Sequence, residues 1–130
     1  MATVVHLDTH FIVWLWLGDQ RRLRPAKKLL ETGDLQYSPI VELELQYLHE
    51  IGRLKPDAAD VLLGLTERMA IARSRVEFGD VAKRASQLSW TRDPFDRLIV
   101  ASADIVGAPL LTSDETILRH YRRATDGGRA

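Results

Sequence analysis

Residues 93–114 read "DPFDRLIVASADIVGAPLLTSD" and hold a complete helix-to-strand unit. Asp93 before Pro94 is the pattern of a helix start: a capping acid, then proline at the first helical position. Leu98, Ile99, Ala101, Ser102 and Ile105 continue it as a buried helix, and Gly107 is its stop. "APLLT", Ala108 to Thr112, follows as a short apolar strand, and Asp114 opens another helix through Tyr121. A buried helix feeding an apolar strand is the repeating unit of a parallel sheet.

The same alternation runs outward to both ends of the chain. Thr3 to Leu7, "TVVHL", predicts a buried strand, and "HFIVWLWL" predicts a helix directly after Asp8-Thr9. A short helix is expected from Ala26 to Glu31, closed by Gly33, and a strand from Leu35 to Ser38. Pro39 opens a helix expected to run to about Leu54, with Ile40, Val41, Leu45, Leu48, Ile51 and Leu54 at helical spacing. A helix from Pro56-Asp57 to about Met69, an ambiguous strand in "IARSRVEF" and a helix from Asp80 to Leu88 complete the pattern. Strands alternating with helices predict an α/β sandwich around a mostly parallel sheet.

Length and composition set the frame. With 130 residues, one domain is expected, and 45% hydrophobic content supplies a core. The boundaries expected are residues 1–123 for the domain and 124–130 for a flexible tail. There are no cysteines, which excludes a disulfide framework and thiolate metal ligands and fits a cytoplasmic protein. The apolar run "FIVWLWL" falls short of the roughly 20 residues that span a bilayer, and no basic leader precedes it, so no membrane partner is expected. Eighteen basic and 18 acidic residues cancel, yet Arg21, Arg22, Arg24, Lys27 and Lys28 crowd one segment and Arg119, Arg122 and Arg123 another. These clusters read either as solvated helix faces or as contacts for a nucleic-acid backbone.

Acids fall where strands give way to helices. Asp8 ends the first strand and Asp114 follows the "APLLT" strand. Asp96 sits in the first turn of the helix begun at Asp93, and Glu44 lies within two turns of Pro39. In a parallel sheet all four would gather at the carboxyl edge, where such folds bind ligands. Each has an ordinary alternative: Asp8 and Asp114 are good helix caps, as is Asp93, Asp96 suits the helix dipole, and Glu44, like Glu42, could be a solvent-facing helix residue, Glu42 the more so. Jointly, carboxylates crowded on one rim repel unless a cation compensates. Oxygen donors without cysteine or paired histidines select Mg²⁺ or Mn²⁺ over zinc. Carboxylates around hard cations suit phosphodiester hydrolysis, and no glycine-rich phosphate loop points to a kinase or ATPase.

Four segments together resemble the PIN-domain ribonucleases of the VapC toxin type. "HLDTH" resembles their first element at Asp8-Thr9, and "YSPIVELELQYLHEIGR" the second, in which Glu44 follows Ser38 by six residues. "DPFDRLIVASA" resembles the third, with Asp96 as the core acid and Asp93 its companion, and "LLTSDE" the fourth, with Thr112 and Asp114. The resemblance implies a PIN-like three-layer α/β/α sandwich and a Mg²⁺- or Mn²⁺-dependent endoribonuclease. It implies the toxin half of a toxin–antitoxin pair, acting on RNA such as tRNA or rRNA, as a homodimer held in check by a VapB-like antitoxin. Asp8, Glu44, Asp96 and Asp114 would hold the metal. Thr9, Ser38 and Thr112 would orient the acids, and Arg97 would pair with a carboxylate or contact phosphate. Two departures stand out: His6 lies where such proteins carry an apolar or aromatic residue, and "RRATDGGRA" is not expected to supply their closing strand. The alternatives are a catalytically degenerate module of the same fold that only binds a protein partner, and a phosphatase for small phosphoesters. The latter lacks the Asp-x-Asp nucleophile after the first strand, since Asp8-Thr9-His10 has one acid.

Overall fold

A computed structural model describes residues 2–128; Met1 and residues 129 and 130 lie outside the described residues. Five parallel strands form one sheet in the order β3-β2-β1-β4-β5. The central strand is Val4–Leu7 (β1), with Asp34–Tyr37 (β2) and Ile71–Arg73 (β3) to one side and Leu110–Leu111 (β4) and Ala124–Thr125 (β5) to the other. Val5, His6 and Leu7 are all buried although consecutive residues point to opposite faces, so helices cover both faces of the sheet. The architecture is the expected three-layer α/β/α sandwich.

From β1 the chain passes through helices Thr9–Leu17 (α1), Gln20–Leu23 (α2) and Lys27–Thr32 (α3) to reach β2. Ile40–Glu50 (α4) and Ala58–Arg68 (α5) connect β2 to β3. The chain then crosses back past β1, by way of Phe78–Ala85 (α6) and Pro94–Ile105 (α7), to β4, and Glu115–His120 (α8) leads to β5. Because β2 and β4 flank β1 on opposite sides, strand order reverses at the β1–β4 pair. The carboxyl ends of these two strands are the switch point at which parallel sheets leave a crevice. The Asp8 N–H donates to the Leu111 carbonyl at 2.9 Å, so the pairing extends to the first acid of the rim.

Several elements differ from the sequence reading. Helix α2 was not expected: Gly18, at φ 66°, ends α1 in the left-handed region, and Asp19 caps a fresh start by accepting from the Arg22 N–H. Helix α4 ends at Glu50 rather than near Leu54, because Gly52 at φ 80° reverses the chain; Leu54 is buried all the same. Helix α6 begins at Phe78, two residues early, since the Glu77 carboxylate accepts from the N–H groups of Gly79 and Asp80. Strand β4 has two residues rather than five.

The tail requires a correction. Residues 124 and 125 were expected within a flexible stretch, but they close the sheet as β5 beside β4. The Leu110 N–H donates to the Arg123 carbonyl and the Thr112 N–H to the Thr125 carbonyl, both at 3.0 Å. Two residues are too few to show an alternating pattern, so nothing in the sequence marked them. His6, the other departure, is fully buried in β1, and among the described residues neither ring nitrogen has a hydrogen-bond partner. Burial pushes its pKa down to about 4, so the imidazole is neutral and serves as a flat core side chain.

Candidate functional site

The rim is built from strand ends and helix starts, and the caps and the acids are the same residues. Asp8 leaves β1 in an extended conformation and caps α1, its Oδ1 accepting from the Thr9 N–H at 2.7 Å. Its Oδ2 accepts from the Thr112 hydroxyl at 2.6 Å, across 104 residues of sequence. The same hydroxyl oxygen accepts from the Asp114 N–H at 3.0 Å, and Asp114 caps α8 through Oδ1 and the Ile117 N–H at 2.9 Å. Thr112 therefore ties the acid after β1 to the acid after β4. Both threonines of the rim, Thr9 and Thr112, are fully buried.

Glu44 lies on the face of α4 that turns toward the rim. Its Oε1 accepts from the Thr9 hydroxyl at 2.5 Å. Thr9 thus acts on two acids, Asp8 through its backbone and Glu44 through its side chain. Ser38 does a different job from the one expected. Its hydroxyl lies 3.0 Å from the Ser102 hydroxyl, which also reaches the Leu98 carbonyl at 2.8 Å. Among the described residues Ser38 bonds no acid; it pins α4, which carries Glu44, against α7, which carries Asp96. Glu42 is exposed, as expected.

Asp93 and Asp96 have separate roles. Asp93 caps α7, accepting from the Phe95 N–H at 2.8 Å and the Asp96 N–H at 3.3 Å. Asp96 is half-buried and its carboxyl has no hydrogen-bond or ion-pair partner among the described residues. Of the two roles expected for Arg97, pairing with a carboxylate or contact with phosphate, the first is not seen among the described residues. Its Nε donates to the Thr91 carbonyl at 2.8 Å, and no carboxylate lies within ion-pair distance among the described residues. A long arginine next to a helix start finds the nearest free carbonyl, here in the loop before α7, at less cost than ordering itself against a solvated acid.

The electrostatics of the rim follow from this placement. Burial pushes the Asp96 carboxyl up to about 7, helped by the neighbouring charges of Asp93, Asp8, Asp114 and Glu44. Burial also raises Asp8, against the two hydrogen bonds that favour its ionised form, and the Asp114 charge adds to the rise. Glu44 is raised by burial and by Asp8 and Asp93, against its bond from Thr9. Asp96 thus feels four carboxylates, and among the described residues no cationic side chain relieves it. Among the described residues His10, exposed in the first turn of α1, is the one basic group that favours ionised Asp8 and Glu44. The sequence reading missed this role, although His10 stands two residues after the first acid.

As the side chains stand, no group of three or more His, Asp or Glu residues among those described is close enough together to hold one ion. The acids are neighbours by charge rather than a preformed cage. Two are held by caps and two by helix faces, and the carboxyl of Asp96 is free to turn. Beside them Tyr47, one turn after Glu44, meets Phe95, with ring centroids 6.1 Å apart. Leu43, Tyr47 and Ile51, four residues apart along α4 and its end, are exposed.

Comparisons with known proteins bear on this arrangement. The family described as PIN domain matches residues 5–123 of the chain. Among solved structures, the chain is similar to one described as VapBC2 from Rickettsia felis bound to a DNA fragment from their promoter. The two are 20% identical with a TM-score of 0.62, over 90% of this chain and 92% of that one, a likeness of fold. No curated protein sequence matches the chain.

Proposed function

The chain belongs to the PIN-domain family, and from that premise we propose that it is a metal-dependent endoribonuclease, the toxin component of a VapBC-type toxin–antitoxin pair. The observation that carries the reading is the rim itself. Four carboxylates from the β1 end, α4, the α7 start and the β4–α8 junction act on one another, and among the described residues no basic partner neutralises Asp96. A structure that raises carboxyl pKa values by crowding acids loses stability by doing so, and such sites concentrate where function requires them.

The donor chemistry fits a hard divalent cation. Every candidate ligand is a carboxylate oxygen, which matches Mg²⁺ or Mn²⁺. Asp8, Glu44, Asp96 and Asp114 would hold it, directly or through water. When bound, the ion lowers the pKa of a coordinated water and stabilises charge on a phosphodiester oxygen. The chain's own residues do the rest. Thr112 fixes Asp8 and Asp114 relative to each other, and Thr9 orients Glu44. One of the four carboxylates takes a proton from the attacking water. Asp93 acts as a helix cap and a source of negative charge near Asp96.

The partners implied are an RNA substrate, a VapB-like antitoxin and a second copy of the chain. The exposed apolar stripe Leu43, Tyr47 and Ile51 supports a protein partner close to Glu44. No helix among the described residues is long and apolar enough to cross a membrane.

The test is purified protein incubated with labelled RNA and with a small phosphoester, each with Mg²⁺ and with EDTA. Internal cleavage of RNA that requires Mg²⁺, with the phosphoester untouched, is the expected result. A protein that cuts neither substrate in Mg²⁺ would instead be the degenerate binding module.

A further inference from the structure

Helices α7 and α8 both start at the acids and run away from them. Between their far ends lies a cavity of about 360 Å³, within the range of small-ligand sites. Its lining includes Arg84 from α6, Trp90 from the loop before α7, Asp104 from α7, His120 from α8, and Arg122 and Arg123 just beyond it. Trp90 and His120 stack on each other, 5.0 Å between centroids and 3° between planes, which leaves one outer face of each ring uncovered by the other. His120 is held in place by a 2.9 Å contact from Nδ1 to the Thr116 carbonyl.

The charge here is opposite to that of the acid rim. Three guanidinium groups face one carboxylate, and Asp104 is already committed to Arg84 at 2.6 Å. Neither Arg122 nor Arg123 lies within ion-pair distance of a carboxylate among the described residues. Arginine beyond the C-terminal end of a helix suits the helix dipole. That ordinary role covers Arg122 and Arg123, and Arg84 has its own in Asp104 and Gln87, but neither accounts for the stacked ring pair beside them. Guanidinium groups recognise phosphate oxygens in a fixed fork, and aromatic rings take nucleobases without regard to sequence.

The position relates this cavity to the acids. Eight residues of α7 separate Asp96 from Asp104, about 12 Å of helix, and six separate Asp114 from His120, about 9 Å. We propose that the cavity is a nucleotide site for the RNA strand, holding a phosphate on Arg122 and Arg123 and a base on an outer face of the Trp90–His120 stack, a few nucleotides from the bond cut at the acids. This rests on the ribonuclease reading. It assigns the acid rim to chemistry and the basic cavity to retention of the strand.

The test compares wild type with the double variant Arg122→Ala/Arg123→Ala on a long RNA and on a trinucleotide. Both arginines are exposed, and an unchanged melting temperature checks that the fold is intact. The expected result is a KM for the long RNA raised about tenfold, with a salt dependence shallower by about one to two phosphate contacts. Trinucleotide cleavage and kcat should stay unchanged. An unchanged KM for the long RNA would overturn the proposal. So would free 5′-AMP binding as tightly as the long RNA, because the cavity would then serve a free nucleotide. If wild type cuts neither substrate, the nuclease reading has failed. Fluorescence anisotropy with the intact RNA then decides the site separately: about tenfold weaker binding by the variant supports it, and equal binding refutes it.

Discussion

Asp96→Asn is expected to reduce RNA cleavage about a thousandfold and, at the same time, to raise the melting temperature of the metal-free protein at pH 8. The two effects share a cause. Asp96 is protonated up to about pH 7 in the fold against an ordinary value of 3.8, because burial and four neighbouring carboxylates disfavour its charge. A group whose pKa is raised by folding contributes its full stability below the unfolded value and loses it as pH rises through the folded value. The metal-free protein should therefore lose stability between about pH 4 and pH 7. Asparagine keeps the shape of the protonated acid and cannot ionise, so it removes that loss. The shift sets a ceiling of about 4 kcal/mol, and solvent screening of a half-buried group reduces this to about 1–3 kcal/mol, several degrees of melting temperature. Differential scanning calorimetry in EDTA at pH 4 and pH 8 checks it: the variant should gain at pH 8 and match wild type near pH 4. Asp93→Asn is the control. Its oxygen still caps α7, so cleavage should fall only a fewfold. Equal losses in the two variants would remove the distinction between cap and ligand.

Thr112→Val is the second large effect. Valine has threonine's shape without the hydroxyl, in a position with no exposure. The change removes the donor to Asp8 Oδ2 and the acceptor of the Asp114 N–H at once. Stranding one buried and one half-buried polar group costs about 1–4 kcal/mol together. It also leaves Asp8 and Asp114 without their common tie. Loss of such an orienting partner weakens metal affinity about 10- to 100-fold. The Mg²⁺ concentration at half-maximal cleavage should rise by that factor, with a smaller effect on the rate at saturating Mg²⁺. Thr112→Ser keeps the hydroxyl and should restore most of both. A valine variant with wild-type Mg²⁺ dependence would show that Thr112 serves only to hold the turn before α8.

The parts of this protein legible in its sequence are those fixed by local chemistry. Asp93-Pro94 announced the start of α7, because the cap and the missing proline N–H act within one turn. Asp8 and Asp114 could be placed at one edge because a parallel sheet sends every strand end the same way. What was not legible depends on contacts across the fold or on elements too short to carry a pattern. Strand β5 is two residues whose extension comes from pairing with β4. Arg97 turned to the Thr91 carbonyl, a choice set by a loop conformation rather than by spacing. Ser38 found Ser102, 64 residues away, instead of an acid. The burial of His6 without a partner has no signature in "VVHLD" beyond its place in an apolar strand.

On the proposed function the four acids share a divalent cation, with Asp96 its most strained ligand. The most direct measurement is Mn²⁺ titration followed by electron paramagnetic resonance, on wild type and Asp96→Asn, at pH 6 and pH 8. Wild type should bind Mn²⁺ saturably at pH 8 and more weakly at pH 6, where protons compete for Asp96. Asp96→Asn should bind at least about tenfold more weakly at pH 8. No saturable binding by wild type at pH 8, or equal binding by the two proteins, would contradict the account.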